Sequence, residues 1–398
     1  MKEGNPFTPD YPVSPDLFVG RTDHLSSVQT LLRETSFGAQ RYIFVTGERG
    51  IGKTSFASYC CEMAQKKCGY LSVYVSGSNA HTIEEITRLI FEGILKETSK
   101  SSWFDRIKGL FGDNVAQIDL FGVALEFRPP PDKLKGLTGR FSEAISEIYN
   151  SIQPEQKGIF IILDDLDGLT KTSDFALWFK SFVDSTAIHF KNLPLCIMII
   201  GVPEVRKELS DHQPSILRIF QVVEIEKLSN EEVSDFFIKT FKTKEISIEA
   251  PALKSMVLFS SGLPNIMQEI GSSVFRVIEK PILTLKEVHR GLSDATDIIG
   301  KKYLHPKVYD TLRSPRYFSI LSKISAVEFH APFKKSDVEK NLTDAERKIF
   351  HNFLRKMKEL GVIVPVHELG SGYYRYVNHL YPVYIDIKSQ EQKTQELK

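Results

Sequence analysis

Eight consecutive residues carry the densest chemistry in this chain: Gly47-Glu48-Arg49-Gly50-Ile51-Gly52-Lys53-Thr54. They fit the pattern G-x-x-x-x-G-K-S/T. Glycines at these spacings let consecutive backbone N–H groups curl around an anion, and a following helix adds the positive end of its dipole. Lys53 is placed to reach the β- and γ-phosphates of a triphosphate, and Thr54 can put its hydroxyl on Mg²⁺. The bland alternative is a glycine turn before a helix. The flanks favour the phosphate loop: Arg41–Thr46 reads as a buried strand and Ser55–Lys67 as a helix, the order the pattern requires.

A second pair of residues completes that chemistry. Gly158–Leu163 is a continuous apolar run ending in Asp164-Asp165. Adjacent carboxylates at a strand end are costly unless a cation or water uses them, and strand ends are where parallel sheets present ligands. Asp164 is the candidate Mg²⁺ ligand, directly or through water. Asp165 is the candidate that orients an attacking water. The alternative is a pair of cap and loop carboxylates before Leu166-Asp167.

Elements to position these groups are legible along the chain. Residues 1–16 hold four prolines and read as an extended lead-in. A helical pattern spans Asp23–Glu34, a strand Tyr70–Val75 and an amphipathic helix Thr82–Thr98. Residues 99–135 read as an insertion: a short turn with Trp103, Phe104, Ile107, Leu110 and Phe111, then a strand or hairpin over Ile118–Phe127, ended by Pro129-Pro130-Pro131. That aromatic face is either an ordinary packed loop or a contact surface for a partner or membrane. Leu137–Ile152 and Ser173–His189 read as helices, and Leu195–Gly201 as another buried strand. Nearly continuous apolar strands separated by helices predict a parallel sheet covered on both faces.

Beyond Leu228 the pattern turns helical, with helices at Ser229–Phe241, Ala250–Ser260 and Leu263–Glu279. A third pattern starts near Leu304: helices at Arg316–Ile324, Ser336–Asn341 and Thr343–Leu360, then short strands at Gly361–Val366 and Tyr373–Val377. Three helices followed by a hairpin is the order of a winged helix. The tail from Ser389 reads as polar and frayed. The domain reading is therefore 1–16 lead-in, 17–228 nucleotide domain with its insertion, 229–300 helical lid, 301–388 winged helix and 389–398 polar tail.

The chain has 398 residues, a formal net charge of +1 and 42% hydrophobic residues, ordinary for a globular protein. The near-zero charge argues against a uniformly basic nucleic-acid coat. From Lys301 onward there are 18 Lys+Arg against 11 Asp+Glu, a balance of +7, leaving 33 against 39, or −6, for the remainder. A basic C-terminal module points weakly to an acidic partner. Cys60, Cys61, Cys68 and Cys196 form no C-x-x-C pair and no zinc spacing, which suits a reduced cytoplasm. The N-terminus lacks signal-peptide character, and no apolar run is long enough to predict a transmembrane segment.

Taken together, the phosphate loop, the strand ending Asp164-Asp165 and the further strand before Gly201-Val202-Pro203-Glu204 resemble the AAA+/STAND division of P-loop ATPases. Phe18-Val19-Gly20-Arg21 resembles that division's N-terminal motif beside the adenine. Ser261-Gly262-Leu263-Pro264 resembles the G-x-P motif of its helical lid. A winged helix after the lid is similar to the origin-recognition-like branch and to STAND proteins. The resemblance implies an α/β P-loop NTPase domain, ATP and Mg²⁺ as ligands, and nucleotide contacts from Val19, Gly20, Arg21, Pro264 and the loop residues Gly47 through Ser55. It also implies a role for Arg218, either an arginine finger toward a neighbouring subunit or a surface arginine before the strand Val222–Ile225. Arg21 divides between nucleotide contact and a structural ion pair.

Departures exist. Asp165 stands where many active AAA+ enzymes have Glu, as in STAND switches. The strand ending at Gly201 shows no sensor-type Asn or Thr. Asn265 follows the G-x-P motif where Arg is usual. On the winged helix, Arg347, Lys348, His351, Arg355, Lys356 and Lys358 lie largely off the core face, with Arg375 in the wing. They suit either DNA or RNA phosphates, or a solvated face on a protein-binding module. Three functions remain open at this point: an ATP-driven switch that assembles as a homo-oligomer, a DNA-binding loader, and a module holding nucleotide without turnover.

Overall fold

The computed structural model describes residues 4–99, 101–112, 115–119, 123–325 and 331–396. Two compact units emerge: residues 14–226, and residues 227–398 together with 1–13.

The first unit is built on five parallel strands: β1 (Gln40–Thr46), β2 (Leu71–Ser76), β5 (Ile159–Asp164), β6 (Leu195–Gly201) and β7 (Gln221–Glu224). Their order is β2-β5-β6-β1-β7. Every position of β5 and β6 is buried, as expected for strands covered on both faces. Chain direction places the ends of β1 and β5 at the same edge, separated by β6. The connection leaving β1 runs to β2 at the far side of the sheet. That reversal opens the crevice in which such sheets hold ligands.

Helices α1 (Thr22–Thr35), α2 (Lys53–Met63), α3 (Ile83–Thr98), α4 (Phe104–Phe111), α5 (Pro131–Gly139), α6 (Phe141–Ile152), α7 (Ser173–His189) and α8 (Pro203–His212) accompany the sheet. The single helix expected over Leu137–Ile152 is two, broken at Arg140. The hairpin expected in the insertion is present as β3 (Val115–Asp119) and β4 (Val123–Phe127), paired antiparallel; residues 120–122 of that expectation lie outside the described residues. The aromatic face there is not a contact surface. Trp103, Ile107 and Phe111 are buried in the unit's core, and the Phe111 ring sits 5.1 Å from the rings of both Phe91 and Phe127.

The second unit contains α9 (Asn230–Lys242), α10 (Ala250–Ser260), α11 (Pro264–Val277) and α12 (Leu285–Ile299). A short parallel pair, β8 (Ser247–Ile248) with β9 (Ile282–Leu283), ties them, strands within the stretch expected to be helical beyond Leu228. After the short α13 (His305–Val308) come α14 (Pro315–Ser325), β10 (Phe333–Lys334), α15 (Lys335–Lys340), α16 (Asp344–Glu359), β11 (Ile363–Pro365) and β12 (Tyr373–Tyr376). The strands form one antiparallel sheet, β10-β12-β11, completing the helix–strand–helix–helix–hairpin order of a winged helix.

The expected frayed tail is instead the end of α17 (Leu380–Glu396). Leu380, Tyr381, Tyr384 and Ile385 are buried, an i, i+1, i+4, i+5 stripe of helical period. Pro382 falls in the first turn, where its missing N–H costs nothing. Among the described residues, no helix is long and apolar enough to cross a membrane.

Candidate functional site: the carboxyl edge of the sheet

The phosphate loop hangs between β1 and α2, with Gly47, Gly50 and Gly52 all at positive φ. Gly47 is required twice over. Its φ is 152°, and a Cβ there would meet the Ile225 carbonyl oxygen at 2.6 Å. Gly52 caps α2 at φ 92°, which aims the first turn, with Lys53, Thr54 and Ser55, into the loop. Ile51 anchors the loop from below, only 2% exposed, while Glu48 and Arg49 form the exposed tip.

The Lys53 ammonium donates to the carbonyls of Gly47 (2.8 Å) and Glu48 (2.9 Å). Burial draws its pKa down, and the Asp164 charge opposes this. Thr54 Oγ1 donates to Asp164 Oδ2 at 2.9 Å. The Tyr74 hydroxyl donates to the same oxygen. Burial, then the Asp164 charge, pushes the Tyr74 phenol well up, so it stays a donor. The other Asp164 oxygen accepts from the Asp165 N–H at 2.9 Å. Asp164 is 4% exposed, and these donors compensate its burial.

Asp165 turns outward in the left-handed region, at φ 56°. Asp tolerates that conformation better than most residues. Partial desolvation of its carboxyl, then the charges of Asp164 and Asp167, holds its pKa above the ordinary carboxylate value. Asp167 in turn pairs with Arg49 at 3.0 Å, joining the loop tip to the segment after β5.

The Phe18–Arg21 segment is placed beside this loop. Phe18 stacks on Tyr59 of α2 at 4.9 Å between ring centroids. Arg21 is 7% exposed and donates to the Ile51 carbonyl at 3.4 Å. Val19 and Gly20 link the two. Of the other expected residues, one lies elsewhere in this unit and one belongs to the second unit. Arg218 ends the turn Pro214–Arg218, exposed and with no ion pair among the described residues. Pro264 opens α11 in the second unit.

Tyr74 and Asp167 were missed from sequence. Tyr74 reaches Asp164 because β2 lies against β5 with Ser76 opposite Asp164, a pairing no local pattern reveals. Its one visible signal is a phenol near the end of the strand Leu71-Ser72-Val73-Tyr74-Val75-Ser76. Asp167 shows only as a third carboxylate in Asp164-Asp165-Leu166-Asp167.

Curled N–H groups, an ammonium and a hydroxyl–carboxylate pair suit a polyphosphate bound with a hard cation. Thr54 and Asp164 offer oxygen ligands at the spacing Mg²⁺ uses beside phosphate and waters.

Comparison with known proteins agrees. Residues 17–197 match the family described as AAA ATPase domain. An uncharacterised HTH-type transcriptional regulator of Methanocaldococcus jannaschii is 22% identical over 303 residues, covering 71% of this chain and 70% of that protein. The ORC2 protein of Aeropyrum pernix, solved in ADPNP–ADP complexes, superposes over 99% of both chains with a TM-score of 0.58 and 13% identity. A Walker-type ATPase of Pyrococcus abyssi covers 92% of this chain and 96% of its own, with a TM-score of 0.53 and 15% identity. At such identities the structural likeness is one of fold. Residues 17–197 thus match an AAA ATPase domain, and the chain is similar in fold to an ORC2 protein and a Walker-type ATPase.

Proposed function

We propose that the protein is an ATP-hydrolysing AAA+/STAND-type switch in which the nucleotide state governs engagement of a partner by the winged helix. The observation that carries this reading is the contact of Thr54 with Asp164 beside a lysine-bearing glycine loop. Lys53 and Thr54 bond to protein oxygens. Thr54 and Asp164 are the residues that would hold Mg²⁺, and Lys53 the one that would reach the phosphates. The metal supplies charge neutralisation at the phosphates. Asp165 is the residue proposed to orient water. It turns outward at the end of β5, next to Asp164, and one methylene fewer than Glu favours slow turnover.

Arg218, exposed and without an ion pair among the described residues, is proposed as a finger offered to a neighbouring subunit, which makes assembly ATP-dependent. Val19, Gly20, Arg21 and Pro264 are proposed nucleotide contacts. The four unpaired cysteines support a cytoplasmic setting.

A second reading is favoured by the α16 surface. Lys348, His351 and Lys358 are exposed there, and Arg375 is exposed in the wing, all without ion pairs among the described residues. Arg347, Arg355 and Lys356 are engaged by Asp344 and Glu359. The free charges suit nucleic-acid phosphates, and the Methanocaldococcus jannaschii relative is described as an HTH-type regulator.

One experiment separates the readings: ATP hydrolysis with and without double-stranded DNA, with particle size followed by light scattering. The switch reading expects ATP-dependent assembly and turnover indifferent to DNA. DNA-stimulated turnover selects the DNA-binding reading. ATP binding with no turnover under any of these conditions overturns hydrolysis.

A further inference from the structure

The first described residues of the chain do not fold with the nucleotide unit that follows them. Residues 1–13 cluster with residues 227–398. Residues 4–13 carry no helix or strand, yet Asn5, Phe7, Thr8 and Asp10 are each held. Phe7 is 3% exposed. Its ring meets Phe241 at 4.9 Å, Phe236 at 6.0 Å and Phe237 at 6.5 Å, all on α9. On the other side α11 has a notch: a Cβ on Gly271 would lie 2.2 Å from the Phe7 ring.

Polar contacts set the register. Asn5 Nδ2 donates to Ser272 Oγ at 2.9 Å, and Asn5 Oδ1 accepts from the Phe7 N–H at 3.0 Å. The Thr8 N–H donates to Gln268 Oε1 at 2.8 Å. Lys302, in the turn after α12, bridges Asp10 (2.5 Å) and the buried Glu269 (2.9 Å).

A hydrophobic core needs only apolar surface here. This face instead presents a side-chain amide to a backbone N–H, a hydroxyl to an amide and a cation to a carboxylate, around an aromatic socket. Those are the elements of peptide recognition. We propose that α9, α11 and the turn after α12 form a peptide-binding groove, and that Asn5–Asp10 is its own ligand, docked as a releasable strap. The groove reads an extended segment with an amide side chain, an aromatic ring two residues later and a carboxylate three residues after that. Nothing in this depends on the nucleotide reading.

The test uses a fluorescent peptide of residues 4–13, the full chain, and the chain lacking residues 1–13. The peptide binds the shortened chain and binds the full chain at least about tenfold more weakly, because the groove is filled. The peptide with Phe7→Ala binds the shortened chain at least about tenfold more weakly than the parent, the scale of one lost buried ring. Equal binding to both chains overturns the proposal, as does an unaffected Phe7→Ala peptide.

Should the shortened chain not fold, Gly271→Ala in the full chain gives the same decision. Alanine is the better helix former, so α11 gains locally while the new Cβ expels Phe7. Protease cleavage within residues 4–13 then accelerates at least about tenfold with the rest of the chain intact. Unchanged cleavage overturns the strap.

Discussion

At the phosphate loop, position is set by backbone. Gly47, Gly50, Gly52, Gly20, Arg21 and Asp165 all adopt positive φ around one crevice. In the second unit, position is set by side chains. Helices α9, α12 and α16 each begin with a full capping box, Ser229 with Glu232, Thr284 with Glu287 and Thr343 with Glu346, and aromatic rings fill the helix interfaces. The first design leaves its functional side chains free to change partners. The second locks the side chains at its helix starts and helix interfaces, so those residues report on stability rather than chemistry. Substitutions should therefore separate the units: one loses function while keeping its fold, the other loses fold while the site keeps its chemistry.

The largest effect is expected from Phe237→Ala, which empties a fully buried site in α9. It should cost about 3–5 kcal/mol, read by denaturant melting of the second unit, with nucleotide affinity of the remaining folded protein unchanged. Lys53→Ala should do the reverse. Loss of the ammonium should weaken ATP binding at least about 100-fold, measured by fluorescent-nucleotide titration, with little change in thermal midpoint. Full affinity in that variant would remove the phosphate-loop assignment. Asp165→Asn should retain binding and lower turnover by about 100-fold. Asn also tolerates φ near 56°, so the strand end should keep its shape.

Next comes pH. Burial alone would raise the Glu346 pKa, but bonds from Lys323, Ser319 and Thr343 outweigh it and hold the group down to about 2. A depressed carboxylate stabilises the fold above its unfolded pKa. That contribution, roughly 2–3 kcal/mol, should be present above about pH 4.5 and fade as pH falls toward 2. Glu346→Gln should flatten this part of the stability profile. The smallest change is Thr284→Ala, losing the α12 cap for about 1 kcal/mol. If it altered ATP turnover directly, the division of labour would fail.

Legibility followed the same physics. The glycine loop and Asp164-Asp165 were readable because backbone-driven sites leave local patterns. Tyr74 was not, since its role depends on β2 lying beside β5. Helix α12 went unnamed although Thr284 and Glu287 announce it. The end of α17 was hidden because only its first two turns carry apolar residues. The aromatic face at Trp103–Phe111 could not be resolved from composition: the same residues serve a core or a contact surface, and only its packing on Phe91 and Phe127 decides.

The strap also has a history in time. Thr8 and Gln268 are 260 residues apart in the chain. At ribosomal speeds of roughly 5–20 residues per second, the partner of Thr8 is made roughly 10–50 s after Thr8 itself. The whole nucleotide unit is synthesised in between and has time to fold before the groove exists. The full socket of Phe7 is complete only once α9 and α11 are both made, so docking of Asn5–Asp10 is a late event of biosynthesis.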